Sequence, residues 1–401
     1  MATHAAVRFL DRTTPPHIAT LILASGIASL NVSVFLPSLA RMADHFGASY
    51  AVMQLAVSGY LAMTAVLQIA MGSVADTLGR RPVMIGAMAL FILATLGALF
   101  APTAGVFLAF RMAQAVVITG IVLSRAVVRD TVGATEAASR IGYITMGMAL
   151  IPMVGPMIGG ALDESFGWQA SFVLLAVGGT LVLMLVVADQ GETAQARGDG
   201  LAAQLAHYPA LLGSRRFWGY SLCAAFASGA FFALLGGASF VSGEIFGLSP
   251  VWTGIALGSP AIGYTLGNFL SGRFSVRVGI DRMAAWGCVV ATLGLVASLV
   301  LTVSGPDNPW VFFGFCTALG LGNGMTLPNA MAGSISVRPD LAGTASGLSG
   351  AIMTAGGAAL SVLAGAMLSR ESGAWPLQAL MAGSAALAGV SLLLVRGTQD
   401  G

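Results

Sequence analysis

Apolar stretches long enough to cross a bilayer, about 20 residues each, recur along the whole of this chain. They fall at about 17–40, 51–75, 82–102, 104–127, 139–162 and 169–189, and again at 217–242, 252–276, 283–304, 309–335, 342–369 and 375–396. The runs are long and do not alternate with period two, so they predict helices and not barrel strands. Only 8% of the residues are charged and 57% are hydrophobic, whereas a soluble domain spends about a quarter of its residues on charge. At 401 residues the chain could hold two or three soluble domains, but the hydropathy leaves room for none. The expected fold is therefore all-α and membrane-embedded, with twelve transmembrane helices in two six-helix bundles.

Charge placement predicts the orientation. Lysine is absent, so arginine carries the positive charge. Arg8, Arg12, Arg80, Arg81, Arg129, Arg140, Arg197, Arg215, Arg216, Arg273, Arg277, Arg282, Arg338 and Arg396 fall on one side of the expected membrane, with Arg125 just inside it. Arg41 and Arg370 lie in loops on the other side, and Arg111 lies within a span. By the positive-inside rule the first side is cytoplasmic, with both termini there.

Several chemistries are excluded. A nucleotide-binding P-loop needs a lysine on the phosphates, and there is none. Cys223, Cys288 and Cys316 are too scattered for a metal motif, and His4, His17, His45 and His207 have no ligand spacing. No convergent set of acid, metal ligand and nucleophile lies at one depth, so the chain is not expected to be an enzyme, and neither cofactor, metal nor nucleic acid is expected. The Gly320–Gly324 run sits inside an apolar span with no strand before it, so it is not a dinucleotide loop. Arg8 and Arg12 resemble the charged start of a signal peptide, but the following run is long and contains Asn31 and Pro37, which favours an uncleaved helix.

The one clear linker is rich in glycine and charge between Asp189 and Arg216, ending in a potentially amphipathic stretch around Leu201–Leu212. It divides the chain into a first bundle, 1–189, a cytoplasmic linker, 190–216, and a second bundle, 217–401. Other loops are short, so neighbouring helices are antiparallel. A spacing repeats across the linker: Gly72, Asp76 and Gly79 recur 200 residues later as Gly272, Val276 and Gly279, with the acid lost. Two homologous bundles related by an axis along the membrane normal would produce such a repeat.

Gly72-x-x-x-Asp76-x-x-Gly79-Arg80-Arg81 resembles the signature loop of the major facilitator superfamily. Arg111-Met112-Ala113-Gln114 is similar to the start of that superfamily's fourth-helix motif, and Ser124 to Asp130 to its end in bicyclomycin- and chloramphenicol-type exporters. Gly147 to Gly160 resembles the fifth-helix motif of drug:proton antiporters, and Leu36-Pro37-Ser38-Leu39 the close of the first helix in that branch. The matches are dense in the first half; the second half contributes the helix count and the degenerate repeat. The resemblance implies the twelve-helix major facilitator fold of a multi-pass protein of the bacterial inner membrane, acting as a monomer.

The physics of each motif can be stated on its own. Asp76 lies where one helix ends and a turn begins, where a carboxylate can meet a neighbouring helix N-terminus. Gly72 and Gly79 permit close approach and an unusual turn. Arg80 is placed to pair with Asp130. The resemblance implies that Gly72, Asp76, Gly79, Arg80, Arg81 and Asp130 form a conformational latch; the bland alternative makes Arg80 and Arg81 topogenic charges alone. Gly147, Gly155 and Gly159 let another helix pack closely, while Pro152 and Pro156 bend the span. Such a helix suits a surface that rocks against a partner, although glycine serves ordinary packing throughout this chain.

Arg111 within the fourth span faces a bundle interior or watery cavity, or else snorkels to the nearby interface. Gln114 lies one turn further in. Arg125 is open to two readings, an inner gate or snorkelling. Asn31, Tyr264, Asn268 and Asn323 mark a candidate cavity for substrate or coupling, with Phe35, Tyr60, Met146, Phe231 and Phe232 as its candidate apolar wall; the amides could equally bridge helices, and the aromatic and methionine residues face lipid or pack in the bland alternative. One departure stands out. Many relatives of the drug-exporting branch carry an aspartate four residues before the proline that ends helix one, and here that position is Ser33. Glu244 lies at the outer end of helix seven, and no acid is clearly at mid-membrane. The resemblance implies export of drugs or amphipathic small molecules by alternating access, against proton entry. The alternative is a facilitator or importer of a small anionic or neutral metabolite.

Overall fold

The computed structural model describes residues 7–132, 154–194, 208–305, 308–338, 341–369 and 371–396, with the single positions 140, 144, 151 and 206. The elements found among them are all helical. Ten segments are long and apolar enough to cross a membrane: Ile18–His45, Tyr50–Leu78, Arg80–Leu99, Ala104–Val128, Gln169–Asp189, Arg215–Ile245, Ile280–Ser304, Pro309–Ser336, Ala342–Met367 and Trp375–Val395. The expected eighth span is also a 20-residue helix, Ser259–Val278, but Asn268, Arg273 and Arg277 dilute its hydropathy. Of the fifth span, 154–166 is a described helix.

Two spans break where their sequences dictate. The first helix runs Ile18–Ser33, and His17 Nδ1 caps it by accepting from Ala19 N at 3.2 Å. Pro37 then supplies no backbone N–H, so the α-ladder cannot run through it. A short 3-10 turn, Leu36–Ser38, bridges to a second helical piece, Leu39–His45, which extends past the expected end at 40. The fourth span is helical over Ala104–Ala113, tightens to 3-10 over Gln114–Ile118, and resumes at Thr119. That tightened turn follows Arg111 directly.

Helix ends are tied together across the chain. Buried Asp189, the last residue of the sixth span, accepts from Leu10 N at 2.7 Å, His17 N at 2.8 Å and Thr20 Oγ1 at 2.6 Å. The segment before the first span is thereby anchored to the end of the sixth. In the linker, Tyr208–Leu212 is helical, and Leu211 packs with Phe217, Ala345 and Leu348.

Three buried apolar clusters hold the bulk of the helices. One lies among the early spans, around Ala24, Met84, Phe91, Val117 and Leu175. A second lies among the late spans, around Tyr220, Cys223, Ala284, Ala330 and Ala388. The third joins early and late spans, with Phe35, Leu36 and Met53 in one cluster with Leu234, Leu257 and Leu377. Cys223 and Cys288 meet in the second cluster as free thiols, their sulfurs 3.9 Å apart.

The internal repeat is visible in the backbone. Gly79 has φ 98° and ψ 150°, and Gly279 has φ 91° and ψ 149°. Both end one helix and open the next in a conformation that residues with a Cβ avoid. In hydrocarbon the hydrophobic effect does not drive helices together, so close packing must do so. At Gly320 the tenth span lies directly against the carbonyl of Pro260 in the eighth, leaving no room for a side chain. Gly320→Val should therefore force the two helices apart and cost about 1–3 kcal/mol. Thermal unfolding of the purified protein in detergent will show this as a lowered midpoint; an unchanged midpoint would contradict the packing.

Candidate functional site

Four of the expected cavity residues form one sealed cluster. Arg111 is 0% exposed, which excludes snorkelling. Its Nη1 donates to Asn31 Oδ1 and to Gln114 Oε1, each at 2.7 Å, and its Nη2 to Asn31 O at 2.7 Å. Its Nε donates to Ala56 O at 3.1 Å. Phe35 and Tyr60 sandwich the guanidinium, each ring centroid 4.3 Å from Cζ. Gln114 passes the chain on, donating from Nε2 to Thr95 Oγ1 at 2.8 Å. Every hydrogen-bond acceptor here is a neutral oxygen. The Asn31 side-chain amide also faces the Tyr60 hydroxyl.

Arg111 thus sits inside the early helices and not on an open wall. Its planar fork explains the arrangement: five N–H groups in fixed directions can engage four oxygens from three helices at once. Tyr264 and Asn268 stand apart, half-buried on the eighth span, where Asn268 Nδ2 donates to Tyr264 O at 2.8 Å. Asn323 is buried on the tenth span. These three do not join the Arg111 cluster. Phe231 and Phe232 are partly buried neighbours of the joining core.

Ser33 is turned away from Arg111. A Cβ on Gly155 would come within 2.5 Å of Ser33 Oγ, so this residue faces the fifth span at close range. One turn on, Gly159 lies against the carbonyl of Val34, while Gly160 and Pro156 face Pro250 and Gly254 of the short helix Pro250–Leu257 that precedes the eighth span. The described end of the fifth span is therefore wedged between an early and a late helix. Gly147, Pro152 and Met146 lie outside the described residues.

The expected latch residues converge at the arginine-rich face. Arg80 pairs with Asp76, and its Nε donates to Asp130 Oδ2 at 3.0 Å. Arg80 Nη1 also reaches Gly72 O at 3.4 Å. Gly79 provides the turn, but the expected close approach at Gly72 is not found: an added Cβ would meet Val122 only at 3.9 Å. Asp76 is taken up by Arg80, and the third span's N-terminus is capped from the linker. Glu192 accepts from Arg80 N at 2.9 Å and Arg81 N at 3.3 Å. Arg81 is directed elsewhere, donating from Nε to Gln190 O at 2.8 Å and from Nη2 to Val187 O at 3.1 Å, so it caps the sixth span.

At the opposite, arginine-poor face, sequence reasoning missed the contacts that join early to late helices. Tyr50 Oη donates to Gly236 O at 2.9 Å and accepts from Phe240 N at 3.3 Å. Gln54 Nε2 donates to Ser361 O and, at 2.9 Å, to Ser361 Oγ. Ser239 Oγ donates to Leu36 O. Deeper in, Thr354 Oγ1 and Gln68 Oε1 are 3.3 Å apart. Asp163 was also missed: it is buried at the end of the fifth span, 3.4 Å from Arg41 Nη1. It lies one residue beyond the expected span, and its burial follows from the glycines that bring that helix against the first.

Burial works against the Glu192 carboxylate, but the N–H groups of Ala194, Arg80, Arg81 and Thr193 outweigh it and hold its pKa below the ordinary value. A depressed carboxylate contributes stability above its unfolded pKa and loses it as pH falls through the folded one. Glu192 is exposed, so solvent screens the cap, and Glu192→Gln should lower the melting midpoint only slightly near neutrality. The difference from wild type should close below about pH 4. Paired thermal melts across that range would show it, and a difference independent of pH would remove the carboxylate from the cap.

A profile of the Major Facilitator Superfamily matches residues 21–361. The chain is 30% identical over 287 residues to a chloramphenicol resistance protein of Pseudomonas aeruginosa, covering 70% of this chain and 68% of that one. It is 27% identical to multidrug resistance protein D of Escherichia coli strain K12, covering 86% of each. Among solved structures it resembles a bacterial homolog of the human lysosomal transporter Spinster in an inward-facing, occupied conformation. That match has a TM-score of 0.71 and 17% identity, over 94% of this chain and 95% of that one, and it speaks to the fold alone.

Proposed function

The chain belongs to the Major Facilitator Superfamily, and from that premise we propose that it exports drugs or amphipathic small molecules by alternating access, in exchange for protons. The observation that carries this reading is the asymmetry between the two faces. Hydrogen bonds from Tyr50, Gln54 and Ser239 tie early helices to late ones at the arginine-poor face. At the arginine-rich face the Asp76–Arg80–Asp130 set stays among early helices. A pump closed on one side and free to close on the other needs such a division. The named roles of the relatives in chloramphenicol and multidrug resistance support the substrate class and the outward direction. Arginine asymmetry supports a cytoplasmic placement of that richer face and of both termini. Residues 1–189 and 217–401 are the proposed moving units, joined by 190–216, and a single chain in a bacterial inner membrane suffices.

Asp76, Arg80 and Asp130 are the proposed latch, with Gly79 as its turn. Removing one partner leaves charge unpaired in a partly buried place. Asp76→Asn and Arg80→Ala should each lower transport at least tenfold while membrane insertion stays normal. Inverted vesicles with an acid interior should accumulate chloramphenicol, and collapse of the gradient should stop it. Wild-type rates in both variants would remove the latch, and accumulation indifferent to the gradient would remove the proton.

Asp163 is the acid that supports coupling. Its side chain is buried beside the Ser38 hydroxyl with Arg41 as a counter-charge, so gaining a proton changes the cost of closing the face around it. Asp163→Asn should abolish gradient-driven accumulation yet spare downhill exchange. A specific observation favours the second reading, a carrier of a small anionic or neutral metabolite: Arg111 is buried among neutral oxygens, and the first helix holds Ser33 in place of an acid. Gradient-independent uptake of such a metabolite in the same vesicles would select it.

A further inference from the structure

We propose, resting on the reading of the chain as a transporter, that its path discriminates against positive charge and takes neutral or anionic molecules. The charge inventory is the first ground. All sixteen acidic residues of the sequence lie at or beyond the ends of spans: 11, 44, 76, 130, 136, 163, 164, 189, 192, 199, 244, 281, 307, 340, 371 and 400. No span offers a carboxylate at mid-depth to a cation. The fourth span carries two guanidiniums instead, Arg111 wholly buried and Arg125 half-buried. Fourteen residue steps, five of them in the 3-10 turn, separate them by about 23 Å.

The second ground is what surrounds Arg111. Its four partners are the uncharged acceptors Asn31 Oδ1, Gln114 Oε1, Asn31 O and Ala56 O, so its charge is solvated but not cancelled. Those acceptors are occupied, and the Asn31 side-chain amide also faces the Tyr60 hydroxyl. What the sealed cluster projects beyond itself is therefore positive potential. The faces of Phe35 and Tyr60, which could otherwise hold an organic cation, are already filled by the guanidinium.

The third ground is position. Ala56 lies two residues from Gln54, which bonds Ser361 across the early and late helices, and Phe35 precedes Leu36, whose carbonyl receives Ser239. Arg111 thus lies just beneath the closed arginine-poor face, close to the groups that tie early helices to late ones. In so dry a place an uncancelled charge acts over long distances.

Tetraphenylborate and tetraphenylphosphonium share size and shape and differ in charge, so they read this property directly. Binding of each to the protein in lipid vesicles, corrected by protein-free vesicles, should favour the anion at least tenfold. Asn31→Asp places a carboxylate against Arg111 and should swing the ratio at least tenfold toward the cation; Gln114→Glu should do the same from the other side. Comparing variants in identical vesicles cancels lipid partitioning, and thermal melts establish that each variant is folded. Equal or cation-favoured binding by wild type, binding of neither ion, or a ratio unmoved in both folded variants would overturn the proposal. Chloramphenicol accumulation in the same vesicles separates the two readings. Its absence with the anion preference intact defeats export alone, and its presence with cation preference defeats the charge selection alone.

Discussion

A guanidinium that has lost all contact with water must find its solvation among side chains and carbonyls, and in this protein that requirement organises the early helices. Arg111 draws the first, second and fourth spans together through Asn31, Ala56 and Gln114. Burying a lone charge costs several kcal/mol unless its donors are met. Hydrogen bonding to four oxygens and two aromatic faces offsets that cost without a counter-ion. The tight 3-10 turn at Gln114–Ile118 belongs to the same arrangement, because it follows Arg111 and begins at Gln114, which both accepts from Arg111 and donates to Thr95. A helix that tightens at such a point often marks a hinge.

The two ends of the seam are built from different chemistry. At the arginine-poor face the joining groups are neutral: a phenol, an amide and a hydroxyl, two of them donating to backbone carbonyls alone. Bonds of this kind contribute about 1 kcal/mol each and can be exchanged for water when the face opens. At the arginine-rich face the groups are charged, and the linker takes part through Glu192. The late helices repeat the backbone of that turn without its chemistry. Gly279 matches Gly79, but Val276 stands in the acid's place and is almost fully exposed. Asp281, one residue before Arg282, accepts instead from Tyr220 at 2.6 Å. Duplicated geometry with unequal charge gives the two halves different parts in any cycle.

The helical fold and most spans are legible in the sequence because hydrocarbon leaves the backbone one economical solution, and length and hydropathy report it directly. The Asp76–Arg80–Asp130 convergence is legible too, since the turn at Gly79 fixes which charges can meet. Other features depend on which face of a helix turns inward, and composition carries no such information. Ser33 and Asn31 are two residues apart, yet one meets the fifth span and the other meets Arg111. Tyr50, Gln54 and Ser239 are ordinary polar residues near span ends until late helices are placed beside them. Glu192 looks like one charge in a polar linker, and only the fold delivers it to the third span's N-terminus.

The placement of Ser33 also explains why an acid is missing there. Gly155 approaches so closely that an aspartate at 33 would be overpacked against the fifth span, and its charge would have no donor within that contact. A titrating partner for Arg111 would have to occupy position 31 or 114, and both hold amides that cannot change charge. The guanidinium therefore keeps the same neutral company whatever the proton concentration. Any proton-dependent step must act on a group whose burial changes between open and closed faces. On the proposed reading Asp163 is that group, because the glycine-lined helix that buries it is wedged between early and late spans. On that proposal substrate recognition and proton response would fall on separate residues, linked through the closing of a face. Such a separation allows the two to be coupled loosely or tightly by packing alone.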